Sequence, residues 1–392
     1  MPKPKTPREQ LSTTTKLMHS GHEPRDFHGF VNPPVVHAST VLFENVDSMV
    51  NRRQKYLYGT RGTPTTDALA DALCELEGAQ GTVLVPSGLA AVTVPLVAFA
   101  SAGGHVLLVD SLYGPTRRFA DTILSRMDVE IEYFAPEIGA GISELIRPNT
   151  QVLFLEAPGS NSFEMHDTRV MAEAAHAVDA VVMMDNTWAT PLFFKPLDHG
   201  VDISIHALTK YPSGHSDLVL GSVSANARTW EQLHDTQLTL GVCAAPDDCY
   251  LVFRGLKTME VRLKRHEENA LEVARWLNSR PEIARVLHPA LPDDPGHEIW
   301  KRDFSGSSGL FGFVFDGWDF DKAAAFLDAL EFFGLGYSWG GYESLAVIPT
   351  FEDRTVSLAP QEGKTIRLQI GLEDPRDLIN DLEQALNQVQ GG

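Results

Sequence analysis

Residues 181–210 read VVMMDNTWATPLFFKPLDHGVDISIHALTK and contain two short strand-like segments, Val181 to Met184 and Asp202 to Ile205. The first segment is apolar throughout, which is typical of a strand that is covered on both faces of a sheet. Asp185 follows the first segment, and Lys210 follows the second. An acid and a lysine therefore mark the ends of two successive strands.

Working outward from this stretch, similar segments alternate with helical ones from about residue 59 to about residue 225. Apolar strands separated by helices predict an α/β fold with a mainly parallel sheet and helices on both faces. Ligands of such sheets bind beyond the carboxyl ends of the strands. The seven predicted strands are Thr82–Val85, His105–Val109, Val129–Phe134, Gln151–Leu155, Val181–Met184, Asp202–Ile205 and Leu218–Val223.

The rest of the chain divides by composition. Residues 1–58 are polar and proline-rich and predict an extended N-terminal arm, and residues 59–250 form the large domain. Residues 251–392 predict a smaller α+β domain. A long helix over about Asp248–Ser279 leads into it.

Composition and charge exclude several classes of protein. The chain has 392 residues with 32 Lys and Arg against 52 Asp and Glu, a net charge of −20 that argues against a nucleic-acid partner. Its three cysteines lack a C-x-x-C spacing, which fits a reducing compartment and predicts no metal site. The N-terminus lacks the apolar segment of a secretory signal, and prolines interrupt the longest apolar run, from Val83 to Ala100. We therefore expect a cytoplasmic protein without a membrane partner.

Three strand ends carry candidate functional residues, and each also has an ordinary structural interpretation. Gly88 opens a helix whose first amides attract an anion, although such turns are common. Asp185 is either a cap or a buried carboxylate with a cationic partner, and Lys210 is either a rim residue or a buried amine. Taken together, the three suit pyridoxal phosphate: the lysine forms an imine, the turn holds the phosphate, and the aspartate keeps the pyridine nitrogen protonated.

Several ordered motifs resemble one enzyme family over nearly the whole chain. Residues 202–216 read DISIHALTKYPSGHS, and the other matching segments are YLYGTRGTPT (56–65), SLYGPT (111–116), MDNTW (184–188), YSWGGYESL (337–345) and IRLQIGLED (366–374). The chain resembles the Cys/Met-metabolism family of pyridoxal-phosphate-dependent enzymes. The resemblance implies the fold of the pyridoxal-phosphate-dependent transferases.

The resemblance also implies residue roles around the cofactor. Lys210 would carry the cofactor as a Schiff base and then act as the base at Cα, and Asp185 would pair with the pyridine nitrogen. Tyr113 would stack on the cofactor ring and assist proton transfer. The phosphate would be bound by the backbone amides of Gly88 and Leu89 and by the hydroxyl of Thr209.

Further implied roles concern the substrate and the assembly. Arg367 would bind the substrate α-carboxylate through two parallel charge-assisted hydrogen bonds, and Ser338 and Trp339 would line the same pocket. Tyr58 would reach a phosphate in a neighbouring subunit, since the family builds homotetramers from pairs of dimers that share their active sites.

Several positions depart from the family pattern, Leu208 and Pro212 among them. Thr60 stands where relatives usually have an arginine two residues after the phosphate-binding tyrosine, and Arg61 follows it. Ala207 stands three residues before the lysine, where relatives often have serine. Thr60 can donate one hydrogen bond but has no charge, and Ala207 removes a possible phosphate donor, so the departures bear on the affinity for the cofactor and not on the reaction class.

Two motifs favour one reaction within the family. Glu156–Ser160 reads EAPGS and Ser338–Ser344 reads SWGGYES, which resemble the members that break a Cβ–S bond. The expected reaction is β-elimination of L-cystathionine to homocysteine, pyruvate and ammonia, as in methionine biosynthesis. The alternatives are a γ-acting relative (a γ-lyase or γ-synthase), a cysteine or cystine desulfhydrase and, more distantly, a regulatory protein that binds the cofactor.

Overall fold

A computed structural model describes residue 7 and residues 10–391. The N-terminal half of the fold contains α1 (Thr13–His19), α2 (Val46–Val50), α3 (Pro64–Glu77), β1 (Gly81–Val85), α4 (Gly88–Phe99), β2 (His105–Val109), α5 (Gly114–Phe119), β3 (Glu130–Phe134), β4 (Thr150–Glu156), α6 (Thr168–His176), β5 (Val181–Asp185) and α7 (Thr190–Phe193). The remainder contains β6 (Ile203–Ala207), β7 (Gly221–Ala225), α8 (Trp230–Thr239), α9 (Pro246–Asn278), β8 (Ile283–Leu287), α10 (His297–Asp303), β9 (Leu310–Phe315), α11 (Phe320–Asp328), β10 (Gly334–Leu335), β11 (Leu345–Val347), β12 (Thr365–Gln369) and α12 (Pro375–Gly391).

The large sheet has seven strands in the order β1-β7-β6-β5-β4-β2-β3. Strand β7 runs antiparallel to both of its neighbours, and the other neighbouring pairs are parallel. Six of its strands are largely buried among apolar side chains, whereas the edge strand β3 is mostly half-buried. The predicted α/β fold with a mainly parallel seven-stranded sheet is confirmed.

Local chemistry explains where several elements begin. Ser87 caps α4, since its Oγ accepts the amide of Ala90 at 3.0 Å, and Asp167 caps α6 in the same way. The last strand of the large sheet was predicted over Leu218–Val223 but begins at Gly221. The amide and carbonyl of Leu220 are instead bonded to Thr209, which holds this segment outside the ladder.

The N-terminal arm is less extended than the sequence predicts. It contains the short helices α1 and α2, which Ser12 and Asn45 cap through their side-chain oxygens. The sequence did not predict either helix, because a helix of one or two turns is too short to give a clear hydrophobic periodicity. The predicted arm begins with residues 1–6, 8 and 9, which lie outside the described residues, as does residue 392 at the end of the predicted small domain.

A second sheet organises the C-terminal part in the order β10-β11-β12-β9-β8. It has its own apolar core, to which α9, α11 and α12 contribute. The long helix α9 continues through residue 250 and also contacts α3 of the N-terminal half. The second sheet places β12, and with it Arg367, beside the ends of the large sheet.

Among residues 10–391, no helix combines the length and the apolar character that crossing a bilayer requires.

Candidate active site

A cavity of about 540 Å³ opens beyond the carboxyl ends of β4, β5 and β6. The end of the large sheet, the start of α4 and the segment before β11 enclose it. All the predicted site residues except Tyr58 line this cavity: Gly88, Leu89, Tyr113, Asp185, Thr209, Lys210, Ser338, Trp339 and Arg367. Tyr58 is 49% exposed and is paired with Thr40 in the arm.

Asp185 ends β5 and is held by Thr187. One carboxylate oxygen, Oδ1, accepts the Thr187 amide at 3.0 Å and the Thr187 hydroxyl at 2.5 Å. Among the described residues, none donates to Oδ2, and Asp185 lines the cavity. Burial raises the pKa of Asp185, and the two Thr187 donors oppose that rise. The arrangement leaves one carboxylate oxygen available to a cationic group in the cavity.

Lys210 lies in the turn after β6, and Tyr211 fixes its backbone. The Tyr211 hydroxyl accepts the amide of Gly309 at 2.9 Å and donates to Gln369 Oε1 at 3.3 Å. Burial lowers the pKa of Lys210 most, Arg367 lowers it further and Asp185 opposes both, and the resulting pKa is about 8. Near neutral pH, a minor fraction of this amine is therefore unprotonated, far more than for an ordinary lysine.

The segment that holds Ser338 and Trp339 approaches Lys210 closely. Lys210 Nζ donates to Ser338 Oγ at 2.5 Å and lies 5.1 Å from the centroid of the Trp339 ring. Gly340 has a φ of +88°, and a Cβ there would lie 2.8 Å from the Tyr211 amide nitrogen. Only glycine fits both the conformation and the space.

Arg367 lies on β12 and reaches the cavity from the second sheet. Its Nη1 donates to Asn161 Oδ1 at 3.0 Å, and its Nη2 donates to the carbonyl of Ser338 at 3.3 Å. Burial lowers the pKa of Arg367 to about 10, so the guanidinium remains charged at neutral pH. Neither partner is a carboxylate, which leaves the charge available to an anion.

The start of α4 forms a cradle for an anion. The first-turn amides of Gly88 and Leu89 have no acceptor within the helix, and a helix N-terminus favours negative charge. A Cβ at Gly88 would lie 2.5 Å from the Ala207 side chain, so glycine allows this approach. The Thr209 hydroxyl lines the same region but donates to the Leu220 carbonyl at 3.2 Å. Donation to a phosphate would require this hydroxyl to turn away from Leu220.

Sequence reasoning did not single out Glu156, Thr187 or Asn161 as site residues, although all three line the cavity. Glu156 is directly opposite Asp185 in the β4–β5 register, and it accepts the Tyr113 amide at 2.7 Å. Burial and the neighbouring Asp185 raise the pKa of Glu156 well above its usual range. Glu156 and Thr187 lie inside the EAPGS and MDNTW segments, so the family motifs could have identified them as site residues. Asn161 lies outside every quoted motif and could not have been identified in this way.

These residues fit pyridoxal phosphate. The cavity offers a cradle of free amides for a phosphate, a free carboxylate oxygen of Asp185 for a pyridinium, and the amine of Lys210 for an aldehyde. Tyr113 supplies an aromatic ring in the same cavity. No part of this donor set conflicts with such a group.

Comparison with known proteins agrees with this chemistry. A family model described as "Cys/Met metabolism PLP-dependent enzyme" matches residues 14–387. The chain belongs to this family. The expected family and its dependence on pyridoxal phosphate are thereby confirmed.

Members of the Cys/Met-metabolism family resemble the chain over almost its full length. A putative cystathionine β-lyase of Rhizobium johnstonii is 62% identical over 96% of both chains. The cystathionine β-lyase MetC of Escherichia coli is 43% identical over 96% of this chain and 98% of its own. A crystal structure of cystathionine γ-synthase from Xanthomonas oryzae, in complex with aminoacrylate and cysteine, superposes with a TM-score of 0.90 at 31% identity, covering 98% of this chain and 100% of that one.

Proposed function

We propose that the chain is a pyridoxal-phosphate-dependent carbon–sulfur lyase that cleaves L-cystathionine by β-elimination. The products are homocysteine, pyruvate and ammonia. The observation that carries the proposal is the placement of the partly deprotonated Lys210 amine in one cavity with the uncompensated Arg367 guanidinium. The identity to relatives named cystathionine β-lyase supports the choice of substrate.

Lys210 is the residue that holds and moves the proton at Cα. When bound, pyridoxal phosphate supplies an electron sink that stabilises the negative charge left on that carbon. The pKa of Lys210, lowered to about 8, lets Nζ accept the proton near neutral pH. The hydrogen bond to Ser338 Oγ holds Nζ on one side of the cavity.

Other residues orient the substrate and the cofactor. Arg367 binds the α-carboxylate with the guanidinium donors that Asn161 and the Ser338 carbonyl leave free. Asp185 would stabilise positive charge on the ring nitrogen, and the raised pKa of Glu156 favours the uncharged form of that neighbour. Tyr113 would cover the ring, and burial raises the pKa of its phenol, which therefore stays protonated near neutral pH.

The identity of the keto acid distinguishes this function from the γ-acting alternatives. The purified enzyme loaded with cofactor is mixed with L-cystathionine, and the products are identified. Pyruvate with homocysteine supports β-elimination, whereas 2-oxobutyrate with cysteine would assign the chain to the γ-lyases. The same assay with L-cystine and L-cysteine measures desulfhydrase activity. Cofactor binding without turnover of any of the three would favour a regulatory role.

The Lys210→Ala variant tests the role of the lysine. It is expected to lose turnover by at least about 10³-fold, because the base and the point of cofactor attachment are both removed. The exposed Lys301 on α10 provides a control, and Lys301→Ala should retain full activity. Steady turnover by Lys210→Ala, measured as keto acid released, would contradict the assignment.

We further propose that the active site is completed in a homotetramer built from two dimers, with Tyr58 binding the phosphate of a neighbouring subunit. Tyr58 does not line the cavity of its own chain, and the surrounding arm exposes Val31, Leu42 and Val46 by 78%, 86% and 71%. Exposed apolar side chains in such number are typical of an interaction surface. Thr60 and Arg61 line a separate hollow of about 350 Å³ beside α3.

We also propose a division into two domains and a cytoplasmic location. The two sheets support a large domain over 59–250 and a small domain over 251–392. Cys74, Cys243 and Cys249 are free thiols, which supports a reducing, cytoplasmic location.

A further inference from the structure

The turn that follows β4 contains two residues in unusual backbone conformations. Asn161 and Phe163 have φ angles of +65° and +63°, in the left-handed region that residues other than glycine rarely adopt. Such conformations persist where surrounding contacts impose them, and they concentrate at functional sites. This turn carries the Asn161 amide oxygen that accepts Arg367 Nη1 at 3.0 Å.

Arg354, which precedes β12 by eleven residues, is the side chain that braces this turn. Its Nη1 donates to Glu164 Oε1 at 2.7 Å, and its Nη2 donates to Glu164 Oε2 at 3.3 Å and to Ser162 Oγ. Ser162 Oγ in turn donates to the carbonyl of Ser160 at 3.2 Å. The guanidinium therefore ties together the residues on both sides of Asn161.

Arg354 is placed to support the site and not to bind substrate itself. Its side chain is 5% exposed, and it does not line the cavity. Glu164 already compensates its charge in a two-pronged ion pair. Arg367 differs in two respects, since it lines the cavity and its polar partners are neutral.

The segment that carries Arg354 is itself anchored to the large sheet. Asp110, just after β2, accepts the consecutive amides of Thr355, Val356 and Ser357 at 3.2, 2.9 and 2.7 Å. Asp110 is also bonded to Arg117 Nη2 at 2.5 Å. This anchor fixes the position from which Arg354 reaches the turn.

We propose that Arg354 is a positioning residue for recognition of the substrate α-carboxylate. Through Glu164 and Ser162 it holds Asn161 where that residue receives the Arg367 guanidinium, and it thereby sets the site that Arg367 presents to the substrate. The inference rests on the proposed function, in which Arg367 binds the α-carboxylate. It adds a residue whose contacts lie entirely outside the cavity.

The test compares a substrate that has the α-carboxylate with one that lacks its charge. S-ethyl-L-cysteine and its methyl ester both contain a Cβ–S bond, and thiol release is measured for each with the holoenzyme. Arg354→Gln is expected to lower kcat/KM for the free acid about tenfold, mainly through KM, because a misplaced guanidinium loses a charge-assisted hydrogen bond. The value for the ester should change by less than about twofold, so the ratio of acid to ester falls about tenfold.

Two further variants separate positioning from general destabilisation. Arg354→Lys keeps one charge without the planar fork and should recover part of the ratio. Arg280→Gln is the control, since Arg280 also pairs with a carboxylate that is largely buried, Glu282 at 3.3 Å, but belongs neither to the cavity lining nor to the Asp110 anchor. Its ratio should equal that of the wild type even where its stability falls.

The outcomes distinguish this inference from the function on which it rests. If the wild type releases thiol from neither compound and no homocysteine from L-cystathionine, the proposed function fails. If the wild type is active and Arg354→Gln lowers both values equally or leaves both unchanged, the positioning role is wrong. If Arg354→Gln does not fold, Glu164→Gln removes the same ion pair from the other side and must lower the acid-to-ester ratio in the same direction.

Discussion

The reactivity of Lys210 depends on the charges around it as well as on burial. Burial lowers its pKa most, Arg367 lowers it further, and Asp185 raises it, with a result of about 8. Only the neutral amine attacks an aldehyde, so the rate at which the apoprotein takes up pyridoxal phosphate should rise with pH through about 8. Arg367→Gln removes a positive neighbour and should move the midpoint to higher pH, whereas Asp185→Asn should move it to lower pH.

The measurement follows the visible absorbance of the bound cofactor after mixing at a series of pH values. The shifts of the two variants must have opposite signs. Exposed Lys301→Ala provides the control and should leave the midpoint unchanged. Identical midpoints for the wild type, Arg367→Gln and Asp185→Asn would show that neither charge acts on the amine.

At the level of single residues, the sequence identifies site residues whose burial costs free energy unless a partner or ligand compensates it. A lysine or an aspartate that follows a buried strand needs a partner or a function, so Lys210 and Asp185 could be recognised as candidate site residues from the sequence. Asn161 was not visible, because an uncharged polar residue in a loop is ordinary. Arg354 was not visible either, because its partner Glu164 lies 190 positions away in the chain. The sequence shows an unusual residue more readily than it shows the partner that folding brings to it.

Among the structural elements, the segment before β11 depends on one glycine. Gly340→Ala would place a Cβ 2.8 Å from the Tyr211 amide nitrogen, in a backbone conformation with φ of +88°. We expect the segment to move away from Lys210, the hydrogen bond to Ser338 to break and kcat to fall about tenfold. The strained φ also costs about 1–2 kcal/mol of stability.

Gly317→Ala provides the matched control for this prediction. Gly317 also has a positive φ, +67°, but a Cβ there would meet no atom within 4 Å. This variant should lose similar stability in thermal unfolding and keep full kcat. Equal activity losses in Gly340→Ala and Gly317→Ala would show that backbone strain alone, and not the approach to Lys210, determines the effect.

The sequence predicts elements well where they are long or fully buried. The predicted strand His105–Val109 has the same bounds in the structure, the predicted strand Val181–Met184 is one residue shorter than β5, and the predicted helix over about Asp248–Ser279 is α9. Strands β10 and β11 were not predicted, because two or three residues give no periodicity. Those short strands flank the segment of Ser338 and Trp339, so the part of the site formed by the second sheet was visible only through the family motif.

In the molecule as a whole, the buried carboxylate of Asp110 is one of the links between the large sheet and the segment before β12. The Asp110 side chain is fully buried, and backbone amides of residues 355–357 together with Arg117 surround it. Burial opposes its ionisation, but the amides of Ser357, Val356 and Thr355 and the Arg117 hydrogen bond outweigh burial and lower the pKa of Asp110 to about 2. The ionised carboxylate is therefore part of the folded state.

This carboxylate should make the stability of the molecule sensitive to acid. The pKa is about 2 in the folded chain and about 3.9 in an unfolded one, so the contribution of Asp110 is complete above pH ~4 and is lost as the pH falls towards about 2. Asp110→Asn keeps an acceptor oxygen but lacks the charge. It should be less stable than the wild type at pH 7, and the difference between the two should shrink as the pH falls below about 4.

Urea unfolding midpoints of the wild type and Asp110→Asn, measured from pH 7 to pH 3, test this expectation. The difference between the two proteins isolates Asp110 from the other carboxylates that titrate in the same range. Asp353→Asn removes a half-exposed carboxylate 3.7 Å from Arg117 and should follow the wild-type curve closely. Wild-type and Asp110→Asn curves that stay parallel down to pH 3 would mean that the link between the two parts of the fold does not depend on the charge of Asp110. In that case the hydrogen bonds between residue 110 and the amides of residues 355–357 would anchor the Arg354 segment without help from the charge.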